Sequence, residues 1–314
     1  MSVPVVLDTD PGIDDALALI LAARWGRADL RAVSVTYGNT TLDLAARNAR
    51  IALARAPAET LVLPGWDRPL TRPLMTAKET HGADGLGDHT APPPDPVHPS
   101  GSALRDALRA AREPVVLVTL GPLTNLALAL RLDADFVRAR VVRHVAMGGN
   151  IAAAGNTGPH SEFNVWCDPE AAREVFTAEL GTLMVGLDVT RRLVIPAAAV
   201  AKLATHSDQD ARWFGRLLGF YVRFHQAVEG LHGAVINDPL AVALALEPSW
   251  GRAEPIPVSV DLSEGPERGR TTIGDLDAGD PRVMVYRDFA VRRVHELLLE
   301  HLFGRWLTAA DFAP

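Results

Sequence analysis

DTDPGIDDA, residues 8–16, decides the fold, because an apolar stretch ends and a helical pattern begins within it. The five residues before it, VPVVL, are apolar, and the pattern after Asp15 is typical of a helix. A strand that passes directly into a helix is typical of the first half of a βαβ unit. The stretch also concentrates four carboxylates within eight residues: Asp8, Asp10, Asp14 and Asp15.

Strands and helices alternate through the first 188 residues, which predicts a mainly parallel sheet with helices on both faces. Apolar stretches rich in Val and Leu predict buried strands at 3–8, 30–36, 60–63, 115–120, 142–147 and 182–187. Helical patterns lie at 13–25, 41–56, 101–112, 122–132 and 169–178. The later part of the chain is predicted to be helical at 196–204, 208–231, 239–246 and 289–303, with a β pair at 254–261 and 282–287. Residues 64–100 are irregular, and loops of that length are often functional.

Composition excludes several function classes. The chain has 314 residues and a formal net charge of −7, without a Lys/Arg-rich block, so we expect no nucleic-acid partner. It has no uncharged run of about 18 residues, so we expect no membrane span. No signal-peptide pattern precedes the first strand, and a single cysteine, Cys167, excludes an intramolecular disulfide. These features predict a cytoplasmic protein.

The density of carboxylates needs an explanation beyond helix capping. Asp near a helix start accepts backbone N–H bonds, which accounts for one or two of the four. Two unit charges 4 Å apart repel by about 1 kcal/mol in water and about 4 kcal/mol at an effective dielectric of 20. A hard divalent cation, with about six to eight oxygen ligands for Ca²⁺, answers this repulsion. An aspartyl-phosphate nucleophile is the alternative interpretation.

Other polar motifs follow the predicted strands, and ligands in open α/β sheets bind outside the carboxyl ends of the strands. GPLTN at 121–125 follows one strand, and MGGN at 147–150 follows another. Asp168 and Asp238 each precede a proline, which by itself is typical of a helix start. The ten histidines include no pair spaced for zinc on a helix, and no Gly-x-Ser-x-Gly elbow is present.

Taken together, the motifs resemble the inosine–uridine preferring nucleoside hydrolase family. In chain order these are DTDPGIDDA, YGNT at 37–40, HGADGLG at 81–87, GPLTN, MGGN, EFNVWCDPEAA at 162–172, GLDVT at 186–190 and NDP at 237–239. The resemblance implies one Rossmann-like α/β domain over residues 1–314 with a helical C-terminal part, assembled as a homodimer or homotetramer. It also implies a bound Ca²⁺ and hydrolysis of the N-glycosidic bond of purine and/or pyrimidine ribonucleosides to free base and ribose.

The resemblance assigns roles position by position. The implied calcium ligands are Asp10, Asp15, Asp238 and the backbone carbonyl of Leu120. The implied ribose contacts are Asp14, Asn39, Met147, Asn156, Glu162 and Asn164. His81 corresponds to a loop histidine near the base, and Asp8 is expected to support the site from behind. In this scheme a metal fixes the sugar hydroxyls and lowers the pKa of a water, whose proton Asp10 takes.

Asn237 departs from the family pattern, because the pyrimidine-accepting members have a histidine there that protonates the leaving base. An amide donates a hydrogen bond but does not release a proton near neutral pH. Three interpretations stay open: the base stacks on an aromatic side chain, another histidine acts as the acid, or the enzyme is slow or specialised for a better leaving group. The aromatic candidates are Trp66, Trp166, Phe220, Tyr221 and Phe224, and the acid candidates are His81, His225 and His232.

Two other functions compete with nucleoside hydrolysis. A Mg²⁺-dependent phosphohydrolase using Asp8 and Asp10 needs a lysine after an apolar strand, and neither Lys78 nor Lys202 follows one. A non-catalytic nucleoside sensor of the same fold remains compatible with Asn237.

Overall fold

The computed structural model describes residues 2–56, 59–88 and 91–312. Its centre is a nine-stranded sheet. The strands are β1 Val3–Thr9, β2 Ala28–Val35, β3 Leu61–Pro64, β4 Val115–Thr119, β5 Val141–Met147, β6 Leu183–Val185, β9 Gly251–Val260, β10 Thr271–Ile273 and β11 Arg282–Phe289. Their order in the sheet is β10-β9-β11-β6-β5-β4-β1-β2-β3. Every pairing from β3 across to β11 is parallel, and β9 and β10 extend the sheet in antiparallel pairs. The predicted Rossmann-like fold is confirmed, since the order 3-2-1-4-5-6 is that of a doubly wound sheet.

Helices cover both faces of the sheet, because successive residues of its central strands point to opposite faces and both sets are apolar. In β1, Val5 and Leu7 join one buried cluster and Val6 joins the other. The helices are α1 Ile13–Arg24, α2 Leu42–Leu53, α3 Lys78–His81, α4 Ala103–Ala110, α5 Thr124–Arg140, α6 Phe163–Cys167, α7 Pro169–Thr177, α8 Leu187–Thr190, α9 Ala197–Ala204, α10 Gln209–Phe224, α11 Asp238–Leu246 and α12 Val291–Leu298. In the described part of the chain, no helix is both long and apolar enough to cross a membrane.

The strand order reverses between β1 and β4, which lie side by side in the sheet. Ligands bind at such a switch point, outside the carboxyl ends of the strands. The Leu120 amide, just after β4, donates a hydrogen bond to the Asp8 carbonyl of β1 at 2.7 Å. This bond holds the loops that leave the two strands side by side.

The later half of the chain differs from the sequence prediction in four places, one of which is a π-helical turn over Leu299–Phe303 at the end of the predicted helix 289–303. A short antiparallel pair, β7 Val194–Pro196 and β8 Gly233–Val235, lies in a region where the sequence predicted helices and no strand. Each of its strands has three residues, too few to show a period of two. The strand β10 was missed for the same reason.

The predicted helix at 208–231 was wrong in its second half. The α-helix α10 ends at Phe224, and the chain continues as a π-helical turn over His225–Glu229, which stops at Gly230 with φ +69°. Glycine adopts that left-handed conformation without strain. We name residues 225–229 the π-turn. An α-helix and a π-turn bury nearly the same pattern of side chains, so the sequence does not separate them.

Candidate active site

Four carboxylates meet at the carboxyl ends of β1 and β4. Asp10 follows β1 directly, Asp14 and Asp15 lie in the first turn of α1, and Asp238 begins α11. All four side chains are buried. Carboxylate oxygens of Asp14, Asp15 and Asp238 lie within 4.8 Å of one another. Residues 223 positions apart therefore share one cluster, because α1 packs against α11.

Backbone and amide donors hold Asp15 in place. Its Oδ2 accepts hydrogen bonds from the Gly12 amide at 3.0 Å and from Asn39 Nδ2 at 2.7 Å. Asp15 thus caps α1 as the capping interpretation predicts. Asn39 also donates its backbone amide to Asp10 Oδ2 at 2.7 Å, so this one asparagine orients two carboxylates.

Asp10 Oδ1 is buried and has no hydrogen-bond partner among the described residues. A Cβ on Gly121 would lie 2.6 Å from that oxygen, and a Cβ on Gly38 would lie 2.0 Å from Oδ2. Both loops therefore need glycine for the close approach of their backbone to Asp10. A buried acceptor without a partner destabilises the folded state unless a ligand bonds to it.

Burial raises the pKa of Asp10 and Asp238 well above the usual range, and it raises the pKa of Asp15 as well. Neighbouring carboxylates push in the same direction, Asp15 on Asp10 and Asp14 on Asp238. None of the described side chains that line the adjoining pocket is a lysine or arginine. Buried charge of one sign requires a counter-charge. An all-oxygen donor set with a free Oδ1 fits a hard divalent cation.

A pocket adjoins the carboxylate cluster, and Asp14 and Asp238 of the cluster line it. The structure brings together on its wall ten of the residues that the sequence predicted for the site. These are Asp14, Asn39, His81, Leu120, Met147, Asn156, Glu162, Asn164, Asn237 and Asp238. Asp10 and Asp15 are not on this wall, and they adjoin it through Asn39.

Asn164 and Glu162 form one side of the pocket at the start of α6. Asn164 Nδ2 donates to the Leu120 carbonyl at 2.7 Å and to the Met147 carbonyl at 3.2 Å. Glu162 accepts the amides of Gly149 at 2.9 Å, Asn164 at 2.9 Å and Val165 at 3.1 Å. Burial nevertheless raises the pKa of Glu162 to about 7. Leu120 therefore presents its carbonyl to the pocket with one acceptor direction already used.

The comparison with known families identifies the group to which this site belongs. The family described as "Inosine-uridine preferring nucleoside hydrolase" matches residues 5–296. The chain belongs to that family. It is therefore an enzyme, a hydrolase of the nucleosidase class.

Relatives and solved structures of nucleoside hydrolases cover nearly the whole chain. The pyrimidine-specific ribonucleoside hydrolase RihA of an Enterobacter species is 35% identical over 309 residues, 96% of this chain and 98% of its own length. The purine-preferring ribonucleoside hydrolase from Gardnerella vaginalis is 28% identical with a TM-score of 0.85, over 96% of this chain and 98% of that one. A plant nucleoside hydrolase is 28% identical with a TM-score of 0.87 and full coverage of both chains.

The geometry of this nucleoside hydrolase bears on the interpretation of three further aspartates. Asp168 caps α7, as predicted, through the Ala171 amide at 3.1 Å. The capping interpretation of Asp238 was wrong, because Asn237 occupies the cap position and the Asp238 carboxylate lines the pocket. Asp8 bonds to Ser34 and to Asn125 Nδ2, which places it in the sheet behind Asp10.

His81 is buried at the end of α3, on the wall of the pocket. Its Nδ1 accepts the Ile13 amide at 3.1 Å, and its ring packs edge-on against Tyr221. An accepting Nδ1 leaves Nε2 as the protonated nitrogen of a neutral ring. Burial also lowers the pKa of His81 to about 4. In this conformation His81 Nε2 lies 3.3 Å from the Tyr221 hydroxyl oxygen, to which it can donate.

The remaining residues predicted to contact or protonate the base fall into two sets. Tyr221, Phe224 and His225 line the pocket. Trp66, Trp166, Phe220 and His232 do not belong to the lining set. Sequence reasoning missed Phe163 and Glu229, which also line it. Glu229 lies in the π-turn, and no motif marks it.

Proposed function

We propose that this nucleoside hydrolase splits the N-glycosidic bond of purine and/or pyrimidine ribonucleosides into free base and ribose, with Ca²⁺ in its carboxylate cluster. The observation that carries the proposal is a buried group of four aspartates with Asp10 Oδ1 unpartnered in the described residues and no lysine or arginine among the described residues of the pocket wall. Asp10, Asp15, Asp238 and the Leu120 carbonyl would hold the ion. When bound, it would supply positive charge that fixes sugar hydroxyls and lowers the pKa of a water.

The residues of the chain would bind ribose through its hydroxyl groups. Asp14 belongs to the carboxylate cluster and Asn39 bonds to it, and Asn156, Glu162 and Asn164 line the same pocket. Such acceptors and amides would be left unpaired by a 2′-deoxy sugar, which disfavours deoxyribonucleosides by orders of magnitude. Met147 adds an apolar side chain to the pocket lining.

Cleavage of the glycosidic bond builds oxocarbenium character on the ribose. The negative charge of Asp14 and its neighbours stabilises that developing positive charge in a site shielded from water. As the water oxygen bonds to the sugar carbon and the bond to the base breaks, Asp10 Oδ1 would accept the water proton, since among the four clustered aspartates it is the fully buried oxygen without a partner in the described residues.

Departure of the base needs a different group from the family's histidine. Asn237 donates its amide and Nδ2 to Asp14 Oδ2, both at 3.0 Å, and it has no proton to release. Tyr221 and Phe224 offer aromatic surface, and His225 offers an imidazole on the same wall. The printed names of the relatives point both ways, to pyrimidine specificity and to purine preference.

Release of free ribose from a panel of ribonucleosides tests this function. Uridine, cytidine, inosine and adenosine would be compared with their 2′-deoxy forms, on protein before and after removal of its metal. We expect release confined to ribosides and lost on metal removal, with recovery on Ca²⁺ addition. Release that is unchanged by chelation would contradict the calcium assignment.

A matched pair of variants tests the role of Asp10. Asp10→Ala should abolish turnover and lower the calcium content, because it removes a ligand and the proton acceptor. Asp135→Ala, on the surface of α5 with 98% of its side chain exposed, is the control. Full activity in Asp10→Ala would contradict the assignment. A homodimer or homotetramer stays a prediction, which light scattering checks.

A further inference from the structure

Three residues on the pocket wall are not used by the ribose scheme. The π-turn contributes His225 and Glu229, and Asn237 stands at the start of α11. The inference drawn from them rests on the proposed function, since it concerns which bases the same site accepts.

The Glu229 carboxylate has acceptor capacity to spare. In the described part of the chain it takes part in no hydrogen bond, and 18% of its side chain is exposed. Its neighbouring cation is Arg191, whose Nη2 lies 3.9 Å from Oε2, beyond hydrogen-bond distance. That same Nη2 donates to the Gly155 carbonyl at 2.9 Å. Arg191 therefore neutralises part of the charge of Glu229 without using its lone pairs.

Asn237 adds a second free acceptor. Its Nδ2 donates to Asp14 Oδ2, so the amide orientation is fixed, because a flipped amide would set its oxygen against a carboxylate. Oδ1 is then buried without a partner in the described residues. A buried acceptor without a donor is costly, and a bound group with an N–H removes that cost.

We propose that Glu229 selects the substrate by accepting a hydrogen bond from an N–H of the nucleobase. The substrate class is then ribonucleosides whose base presents an N–H at its edge away from the sugar. Bases methylated at that nitrogen are rejected. The methyl group replaces the N–H, so the Glu229 carboxylate is left without a hydrogen-bond donor from the base.

Uridine and inosine each carry one base N–H, so N-methylation removes the only donor. The test measures kcat/KM for uridine against 3-methyluridine and for inosine against 1-methylinosine. A third substrate, 4-nitrophenyl β-D-ribofuranoside, has the same sugar and a leaving group without any N–H. The proteins are wild type, Glu229→Ala, Glu229→Gln and the remote surface control Glu296→Ala on α12.

We expect the wild type to prefer the unmethylated member of each hydrolysed pair by about 10-fold or more, since a hydrogen bond to a charged group is at stake. In Glu229→Ala the ratio of nucleoside to nitrophenyl riboside activity should fall by about 10- to 100-fold. The preference against the methylated base should shrink, because the smaller side chain leaves room for the methyl group. Glu229→Gln keeps an acceptor oxygen, so its activity ratios should lie between those of the wild type and those of Glu229→Ala. Glu296→Ala should match the wild type.

The outcomes separate this inference from the proposed function. If no riboside is hydrolysed, including the nitrophenyl riboside, the proposed function fails. If ribosides are hydrolysed but Glu229→Ala leaves the preference between methylated and unmethylated bases unchanged, the role of Glu229 is overturned. An equal loss on all substrates in Glu229→Ala would also overturn it, since that pattern reports damage to the site as a whole.

Discussion

The Tyr221 hydroxyl donates a hydrogen bond to Asp14 Oδ1 at 2.6 Å across 207 positions of sequence. Both residues are buried, and Asn237 completes the shell from the other side by donating to Asp14 Oδ2. Asp14 therefore has a donor on each oxygen while the neighbouring Asp10 keeps one oxygen free. In the proposed reaction, this difference favours Asp14 as a fixed sugar-binding carboxylate and Asp10 as the proton acceptor.

Tyr221→Phe removes the donor to Asp14 and leaves the ring in place. We expect kcat/KM for the preferred ribonucleoside to fall by about 10-fold or more, because a hydrogen bond between a hydroxyl and a buried carboxylate is lost. Steady-state kinetics would check this. Tyr286→Phe, a buried tyrosine on β11, is the control, and an equal loss in both variants would argue against a specific role of Tyr221.

Gly121→Ala tests the close approach of the loop after β4 to Asp10. The added Cβ would lie 2.6 Å from Asp10 Oδ1, so the carboxylate or the loop has to move. Displacement of a catalytic group by about 1 Å costs about 100-fold in rate. We expect a loss of that size in kcat, with calcium content reduced. Gly26→Ala, whose Cβ would meet nothing within 4 Å, should be fully active.

Asn237→His tests whether protonation of the leaving base limits the rate. The imidazole would stand beside Asp14, where it would offer a proton that the amide lacks. We expect a higher kcat on uridine and no gain on 4-nitrophenyl riboside, whose leaving group needs no proton. A gain on both substrates would indicate a general rearrangement of the pocket. No gain on either would mean that another group already assists the base or that the chemical step does not limit the rate.

His144 makes stability depend on pH. It is buried in β5 between Thr119 Oγ1 and Thr182 Oγ1, each 3.0 Å from a ring nitrogen, and burial lowers its pKa from 6.5 to about 3. Between pH 6.5 and 3 the unfolded chain holds a proton that the folded chain does not. In this range the free energy of unfolding therefore falls by about 1.4 kcal/mol for each unit by which the pH is lowered, as far as this group is concerned.

Chemical denaturation of His144→Gln between pH 7 and pH 4.5 measures this dependence. We expect the variant to be less stable than the wild type at pH 7, with the difference shrinking as the pH falls. His98→Gln, on an exposed loop, is the matched replacement. A difference that stays constant across this range would contradict a neutral buried imidazole at position 144.

The sequence by itself determined the architecture and the polar half of the site. Apolar stretches separated by helical patterns suffice for a parallel sheet, because burial on both faces demands such strands. Asp10, Asp15, Asn39 and Asn164 were predicted because each stands in a short motif that resembles the family's, next to a strand or helix end. The fold then brings the strand ends to one edge.

Only the tertiary structure decided which hydrogen bonds those residues form and which other residues join them in the pocket. The bond from Tyr221 to Asp14, the free oxygens of Asp10 and Asn237 and the place of Glu229 all depend on contacts between elements distant in sequence. The π-turn that contains Glu229 spans only five residues, too few for the sequence to show a period different from that of an α-helix. Periodicity records which face of an element is buried. It does not record which hydrogen bonds a buried group finds, because those partners come from other elements of the fold.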